Sequence, residues 1–232
     1  DVSFAYPGSE VAALAKVSLS IKPGERVAIL GRVGSGKSTI TRLGMGLFQP
    51  IEGQVLIDGI DMRQLEPREF RQAVGYMPQE ITLFHGTLRE NLTLAHRGIT
   101  DEALIAAADR AGLTEFINHH PAGFDMPISE RGDSLSGGQR RAIGLARALV
   151  HEPQILILDE PTGSMDHSTE QAVIDSLSAF VEGRTLVVVT HRSSILKLID
   201  RIIVMDAGKV VADGPRDAVV SALQQGRIGK AQ

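Results

Sequence analysis

The sequence predicts an α/β fold: a largely parallel β-sheet covered by helices on both faces, interrupted by a helical insertion. Three observations carry that expectation. Continuous apolar, β-branched runs recur at Val27–Leu30, Ile155–Leu158, Leu186–Val189 and Ile202–Met205, as expected for strands buried on both faces. Helical patterns lie between them, at residues 39–47, 170–181 and 193–199. From Leu88 to Val150 strand patterns give way to helical ones, which marks an insertion into the sheet. The chain therefore reads as a single domain over 1–232, with an α/β core formed by 1–87 and 151–232 and a helical subdomain at 88–150.

In chain order, Val2–Tyr6 alternates like a strand and stops at Pro7-Gly8, and Val17–Ile21 alternates again up to Pro23-Gly24. Gly53–Gly59 reads as a strand between glycine turns, and Val74–Met77 as a short strand ending at Pro78-Gln79. Thr100 and Asp101 cap an amphipathic helix running through Ala111, with Leu104, Ile105, Ala108 and Ala111 on one side. Ser136 through Val150 is a second helix carrying Ile143, Leu145, Ala146 and Leu149. No internal repeat and no low-complexity linker is present in the sequence.

The stretch Gly31-Arg32-Val33-Gly34-Ser35-Gly36-Lys37-Ser38 fits the phosphate-binding pattern G-x-x-x-x-G-K-[ST]. It follows a strand and opens a helix, so backbone N–H groups converge on an anion and the helix dipole adds to them. Lys37 would reach the β- and γ-phosphates, and the Ser38 hydroxyl would ligate Mg²⁺. By average residue frequencies such a match arises by accident about one time in a hundred in a chain this long. The pattern marks a nucleoside triphosphate site. A second element, Ile155-Leu156-Ile157-Leu158-Asp159-Glu160, puts a carboxylate pair at the carboxyl end of a buried strand, where open α/β sheets bind ligands. Asp159 there can hold Mg²⁺, and Glu160 can accept a proton from an attacking water.

Composition narrows the classes. Of 232 residues, 43% are hydrophobic and 22% charged, enough for a core and a solvated surface. The net charge of −4 gives no support to nucleic-acid binding through a basic surface. Cysteine is absent, which excludes disulfides and thiolate metal sites. No apolar stretch reaches the roughly 18–20 residues that span a bilayer, and no signal peptide opens the chain. The first residue is Asp1, not Met, so the expectation is a piece of a longer protein. The adjacent His119 and His120 point differently on most backbones, so no metal site is expected there. Arg140 and Arg141 read as solvated helix surface.

Leu135-Ser136-Gly137-Gly138-Gln139 reads LSGGQ and stands 23 residues before Asp159 (159 − 136). By itself it is a serine N-cap with a glycine turn. Together with GRVGSGKS and ILILDEP it resembles the nucleotide-binding domain of ATP-binding cassette (ABC) proteins, over essentially the whole chain. The resemblance implies a P-loop NTPase (RecA-like) parallel-sheet core with an antiparallel β edge and an inserted helical subdomain. It implies ATP and Mg²⁺ as ligands. Nucleotide contacts would come from Tyr6, stacked on adenine, and from Gly31, Gly34, Ser35, Gly36, Lys37, Ser38 and Thr39. The second subunit would add Ser136, Gly137, Gly138 and Gln139, and Asp166 lies in a loop that crosses the dimer interface. Ser38, Gln79 and Asp159 would serve the metal. Glu160, His191, Lys37 and Gln79 would serve catalysis, His191 by touching the γ-phosphate.

Within the family, Glu130-Arg131-Gly132 resembles the stretch of exporter domains that meets the transmembrane part, with Ser129 where glycine is usual and Arg141-Ala142 where Gln-Arg is common. Gly123–Met126, Thr190–Arg192, Leu198–Arg201 and Val211–Pro215 look closest to ATPases of type I secretion systems. Such a protein works as an ATP-dependent homodimer beneath transmembrane domains of the same or a partner chain. It sits at the cytoplasmic face of the inner membrane, with a periplasmic adaptor, an outer-membrane channel and no nucleic acid. Two rivals are weighed against it. A soluble cassette ATPase of chromosome maintenance or ribosome action would carry a coiled-coil insertion or a second cassette. An inactive regulatory module would lack Glu160, Lys37 or His191, all of which are present.

Overall fold

A computed structural model describes residues 1–94 and 98–228. The chain divides into two compact units, 1–71 with 184–232, and 72–183.

The first unit is organised around β3 (Arg26–Gly31), once the short antiparallel pair β1 (Val2–Phe4) and β2 (Leu14–Val17) is set aside. Val27, Ala28 and Ile29 of β3 are fully buried, each apolar side chain of that size contributing about 1.5–3 kcal/mol when removed from water (less for alanine). Helix α1 (Lys37–Gly44) follows, then the two-residue strands β4 (Leu56–Ile57) and β5 (Ile60–Asp61) paired as a hairpin, and α2 (Pro67–Ala73), which crosses the boundary between the units.

The second unit begins with β6 (Val74–Met77) and continues through β7 (Gly86–Thr87), α3 (Leu88–Thr93), α4 (Asp101–Arg110), α5 (Thr114–Asn118) and β8 (Pro127–Ile128). Helix α6 (Gly137–Leu149), strand β9 (Ile155–Asp159) and helix α7 (His167–Phe180) complete it. β6 and β9 run parallel, from Val74↔Ile155 to Met77↔Leu158. At Gly75 a side chain would collide with the carbonyl of Ala148, so α6 lies directly on β6.

Back in the first unit, β10 (Thr185–Val189) and β11 (Arg201–Asp206) flank β3, both parallel to it. β12 (Lys209–Pro215) then pairs antiparallel with β11, and α8 (Arg216–Gln224) closes the described chain. The antiparallel edge and the parallel centre expected from the sequence are both present.

Some elements differ from expectation. Residues 18–21 form no strand: the strand lies three residues earlier, because β1 offers pairing partners only between Phe4↔Leu14 and Val2↔Val17. Leu19 and Ile21 continue the alternation as half-buried positions without a ladder. The strand read over Gly53–Gly59 shortens to Leu56–Ile57, and that over Val2–Tyr6 to Val2–Phe4. Ser194–Leu198 is a 3₁₀ segment and not an α-helix. Ile105 is 56% exposed; the buried stripe of α4 is Leu104, Ala107, Ala108 and Ala111, since a residue next to Leu104 turns about 100° away.

Candidate functional site

In the first unit the site is built at the carboxyl end of β3. Gly31 has φ 152°, and a Cβ there would strike the carbonyl of Met205 and the Ser35 hydroxyl. Gly36 has φ 98°, and its Cβ would stand 2.7 Å from both the Ala13 carbonyl and Leu14 Cδ2. Only glycine fits either position, so the backbone itself forms the wall of the loop. Gly36 is also the N-cap of α1 and brings no side chain to its amides. That leaves the helix N-terminus suited to an outside anion.

Lys37 is folded back over this loop, Nζ donating to the carbonyls of Gly31 at 2.8 Å and Arg32 at 2.6 Å, and to Ser35 Oγ at 3.5 Å. The ammonium thus stands where the loop's carbonyls gather. Ser35 and Thr39 are buried, whereas Ser38 is half-buried. Gly34 lies in the exposed part of the loop.

Tyr6 is half-buried and held from several sides. It packs edge-on against Phe4 (5.0 Å between centroids) and Phe48 (5.4 Å), and the Arg42 guanidinium lies 5.9 Å from its ring centre. Its hydroxyl meets Thr39 Oγ1 at 3.1 Å and accepts from Arg42 Nη1 at 3.0 Å. Tyr6 is therefore tied to α1, one turn behind the phosphate loop. His191 is exposed beyond β10. The register pairs Val189 with Ile29, so two residues further along these parallel strands come His191 and Gly31. Buried Thr190 supports the bend through its hydroxyl, which accepts from Arg192 N–H at 3.0 Å.

In the second unit the same logic repeats at β6 and β9. Met77 pairs with Leu158, and two residues further come exposed Gln79 and half-buried Glu160. Asp159, the last residue of β9, is more deeply buried than either, at 2% exposed. Glu160 has φ 53°, the left-handed region that a non-glycine residue occupies only when its neighbours enforce it.

Ser136 caps α6 with a reciprocal pair: its Oγ accepts from Gln139 N–H at 3.1 Å, and Gln139 Oε1 accepts from Ser136 N–H at 2.9 Å. Gly137 and Gly138 lie against Ser164, where added Cβ atoms would stand 3.2 Å from its Cβ and 3.1 Å from its carbonyl oxygen. Asp166 caps α7, its carboxylate accepting from Ser168 Oγ at 2.5 Å, Thr169 Oγ1 at 2.6 Å and Thr169 N–H at 3.0 Å. These bonds, the Ser168 hydroxyl first, hold its pKa well below the ordinary 3.8.

Three arginines correct or extend the sequence reading. Arg140 donates to the Gly132 carbonyl at 3.2 Å and Arg141 to the Glu160 carbonyl at 2.8 Å, so neither is simply solvated surface. Arg147 donates to the carbonyls of Asn91 at 2.8 Å and Thr82 at 3.0 Å, and burial pulls its pKa down to about 10. Its place one turn after Ile143, on the packed side of α6, was a signal in the sequence. The Arg141 contact had none. His119 and His120 turn to the nearby backbone, Nδ1 meeting the Glu115 carbonyl at 2.6 Å and the Ala122 N–H at 3.2 Å respectively. Among the described residues, no cluster of three or more His, Cys, Asp or Glu could hold a metal by itself.

Residues 14–163 match the family model described as ABC transporter. The chain is similar to the cyclolysin secretion/processing ATP-binding protein CyaB of Bordetella pertussis, 42% identical over 221 residues, which are 95% of this chain and 31% of that protein. It is 40% identical over 221 residues to the alpha-hemolysin translocation ATP-binding protein HlyB of Escherichia coli, again 95% of this chain and 31% of that one. The leukotoxin translocation ATP-binding protein LktB of Mannheimia glucosida is 41% identical over 214 residues, 92% of this chain and 30% of its own. The chain thus spans about a third of the length of these curated relatives. Among solved structures, a bacterial Atm1-family ABC exporter with ATP bound superposes with a TM-score of 0.91 at 35% identity, covering 97% of this chain and 41% of that one.

Proposed function

The chain belongs to the ABC transporter family, and we propose that it is the ATP-hydrolysing part of an exporter that dimerises on ATP and drives transmembrane domains in type I secretion of a protein or peptide. The observation that carries this reading is the glycine-walled loop with Lys37 folded over it, ahead of an α1 N-terminus that no side chain caps. Relatives named for cyclolysin secretion and for alpha-hemolysin and leukotoxin translocation support the secretion class.

In this reading ATP is the substrate. Its phosphates exchange with the loop carbonyls for Lys37 and rest on backbone groups of Gly31 and of residues 34–39, while adenine meets Tyr6. Ser38, Gln79 and Asp159 would hold Mg²⁺, which when bound neutralises charge on the β- and γ-phosphates. Glu160 orients the attacking water and accepts its proton as oxygen bonds to the γ-phosphorus and the bond to the ADP oxygen breaks. His191 holds the γ-phosphate. Ser136, Gly137, Gly138 and Gln139 of a second copy close over it, with Asp166 at the interface between copies. Ser136 is equipped for this: its oxygen accepts from Gln139 N–H, and its hydroxyl proton is still available to donate to phosphate.

The helical subdomain 88–150, inserted between core segments 1–87 and 151–232, is the part proposed to face the transmembrane partner at the cytoplasmic side of the inner membrane. No described helix is long and apolar enough to cross a membrane. A periplasmic adaptor and an outer-membrane channel complete the proposed assembly. The test is Glu160→Gln. Turnover should be lost while MgATP binding persists and an ATP-bound dimer accumulates on size-exclusion chromatography; near wild-type hydrolysis would remove Glu160 from the role of base.

A further inference from the structure

The turn after β9 is held from several sides. Glu160 stands at φ 53°, and its carbonyl accepts two donors, Gly163 N–H at 3.2 Å and Arg141 Nη1 at 2.8 Å. Gly163 is buried, and a Cβ there would stand 2.9 Å from Arg141 Nε, so glycine leaves room for the guanidinium against the turn. Between these residues, buried Thr162 donates to Glu170 Oε1 at 2.8 Å and fastens the turn to α7.

Of these holds, the one on Glu160 itself from outside the turn is Arg141. A hydrogen bond from a charged donor is about twice as strong as a neutral one. Without it the carbonyl keeps the bond that closes its own turn but loses the hold from α6 that opposes relaxation of φ toward the right-handed region. Such a relaxation redirects the Glu160 side chain. We propose that Arg141 is a positioning residue for Glu160: by gripping its carbonyl, Arg141 fixes the left-handed backbone that aims the carboxylate at the attacking water. This rests on the role of Glu160 as proton acceptor set out above. The grip also joins two motifs of one unit. Arg141 lies five residues beyond Ser136 on the same helix, and Gly137 and Gly138 touch Ser164 of the loop after Glu160. Movement of the signature loop is thereby transmitted to the carboxylate of its own chain.

The experiment measures kcat and KM for ATP in Arg141→Met, Arg141→Lys, Glu160→Gln and the Arg141→Met/Glu160→Gln double variant. Misplacing a reacting group by about 1 Å can cost on the order of a hundredfold. Arg141→Met is therefore expected to lower kcat by tenfold to a hundredfold or so, with KM changed by less than about twofold. Arg141→Lys, which can still donate to the carbonyl, should recover much of the loss. The double variant should turn over no more slowly than Glu160→Gln, because Arg141 acts through that carboxylate. The proposal is overturned if Arg141→Met keeps wild-type kcat, if lysine does no better than methionine while KM rises in step, or if the double variant is slower by the full factor of Arg141→Met. These results differ from failure of the underlying reading. If Glu160→Gln turns over like wild type, the proton-acceptor role fails and the role of Arg141 falls with it. If Glu160→Gln is inactive while Arg141→Met is not impaired, the Arg141 inference alone fails.

Discussion

Two helix N-termini in this chain are finished in opposite ways. Helix α1 begins at Gly36, in the left-handed region with no side chain to offer its amides. Helix α6 begins at Ser136, whose hydroxyl and the Gln139 amide satisfy two backbone N–H groups reciprocally. An N-terminus leaves four N–H groups without helical partners, and a cap uses some of them up. The difference teaches what each end is for. The first is left open to an anion from outside, the arrangement the proposed ATP site requires. The second is already stable alone, and presents a hydroxyl proton and two glycines at a surface.

The largest effect should come from filling the open end. At Gly36 a side chain would meet the Ala13 carbonyl and Leu14 at 2.7 Å in a backbone region unfavourable to L-residues. Gly36→Val is expected to abolish nucleotide binding and to cost about 1–3 kcal/mol or more of stability. Isothermal titration with MgATP and thermal melts check both. Retained binding would show that the open N-terminus is not the anion site.

At the capped end the effect should be smaller and mainly on stability. Ser136→Ala removes a cap and should cost about 1 kcal/mol by chemical denaturation, while MgATP affinity of the monomer stays unchanged. Ser136→Asn, which can still cap, should restore stability. A fall in monomer affinity would instead mean that the two ends are not separate in function.

Tyr6 sharpens the comparison on the α1 side. Truncation to Ala should weaken ATP binding by about 1–3 kcal/mol if the ring stacks on a base. From sequence alone Tyr6→Phe should be nearly silent. The hydroxyl, however, bonds Thr39 and Arg42, so Phe should cost about 0.5–1.5 kcal/mol of stability while leaving affinity close to wild type. Equal loss of affinity in both variants would assign the effect to the hydroxyl and not to stacking.

The smallest expected effect concerns the third capped end, α7. Asp166 titrates below its ordinary 3.8 in the folded chain, so it contributes stability above about pH 4. That contribution is lost as pH falls below 3.8 toward the lower folded value. Asp166→Asn should flatten the acid side of the stability curve by lowering stability at neutral pH, while stability at the most acid pH, where the native carboxyl is protonated, stays nearly unchanged. An unchanged curve would show that the cap is not formed in solution.

The sequence made these ends legible to different degrees, for physical reasons. β3, the glycine loop and α1 announce themselves because a buried parallel strand and a phosphate loop need fixed residue types in fixed order. The α6 boundaries were legible too, since Ser136 and Gln139 form a local capping pattern. Residues 18–21 were misread because alternation reports burial, whereas a strand also needs a partner. β12 carries only the short apolar run Val210-Val211-Ala212 and continues into Asp213-Gly214-Pro215, residue types that read as a turn. Arg141 was illegible as a site residue: its contact lies 19 residues away at a carbonyl, and carbonyls carry no sequence signature.

The most direct measurement mixes two inactive variants. Lys37→Ala destroys the open-ended site of its own chain and leaves Ser136 intact; Ser136→Arg blocks the capped end and leaves Lys37 intact. Each alone should be nearly inactive, because every site in either homodimer contains one broken half. In a mixed dimer both lesions fall in one site, and the other joins a sound Lys37 to a sound Ser136. Mixing should therefore restore part of the ATPase activity, rising faster than linearly with protein concentration. Full activity of Ser136→Arg alone, or no recovery on mixing although crosslinking shows heterodimers, would contradict a site shared between copies in which one intact half-pair suffices.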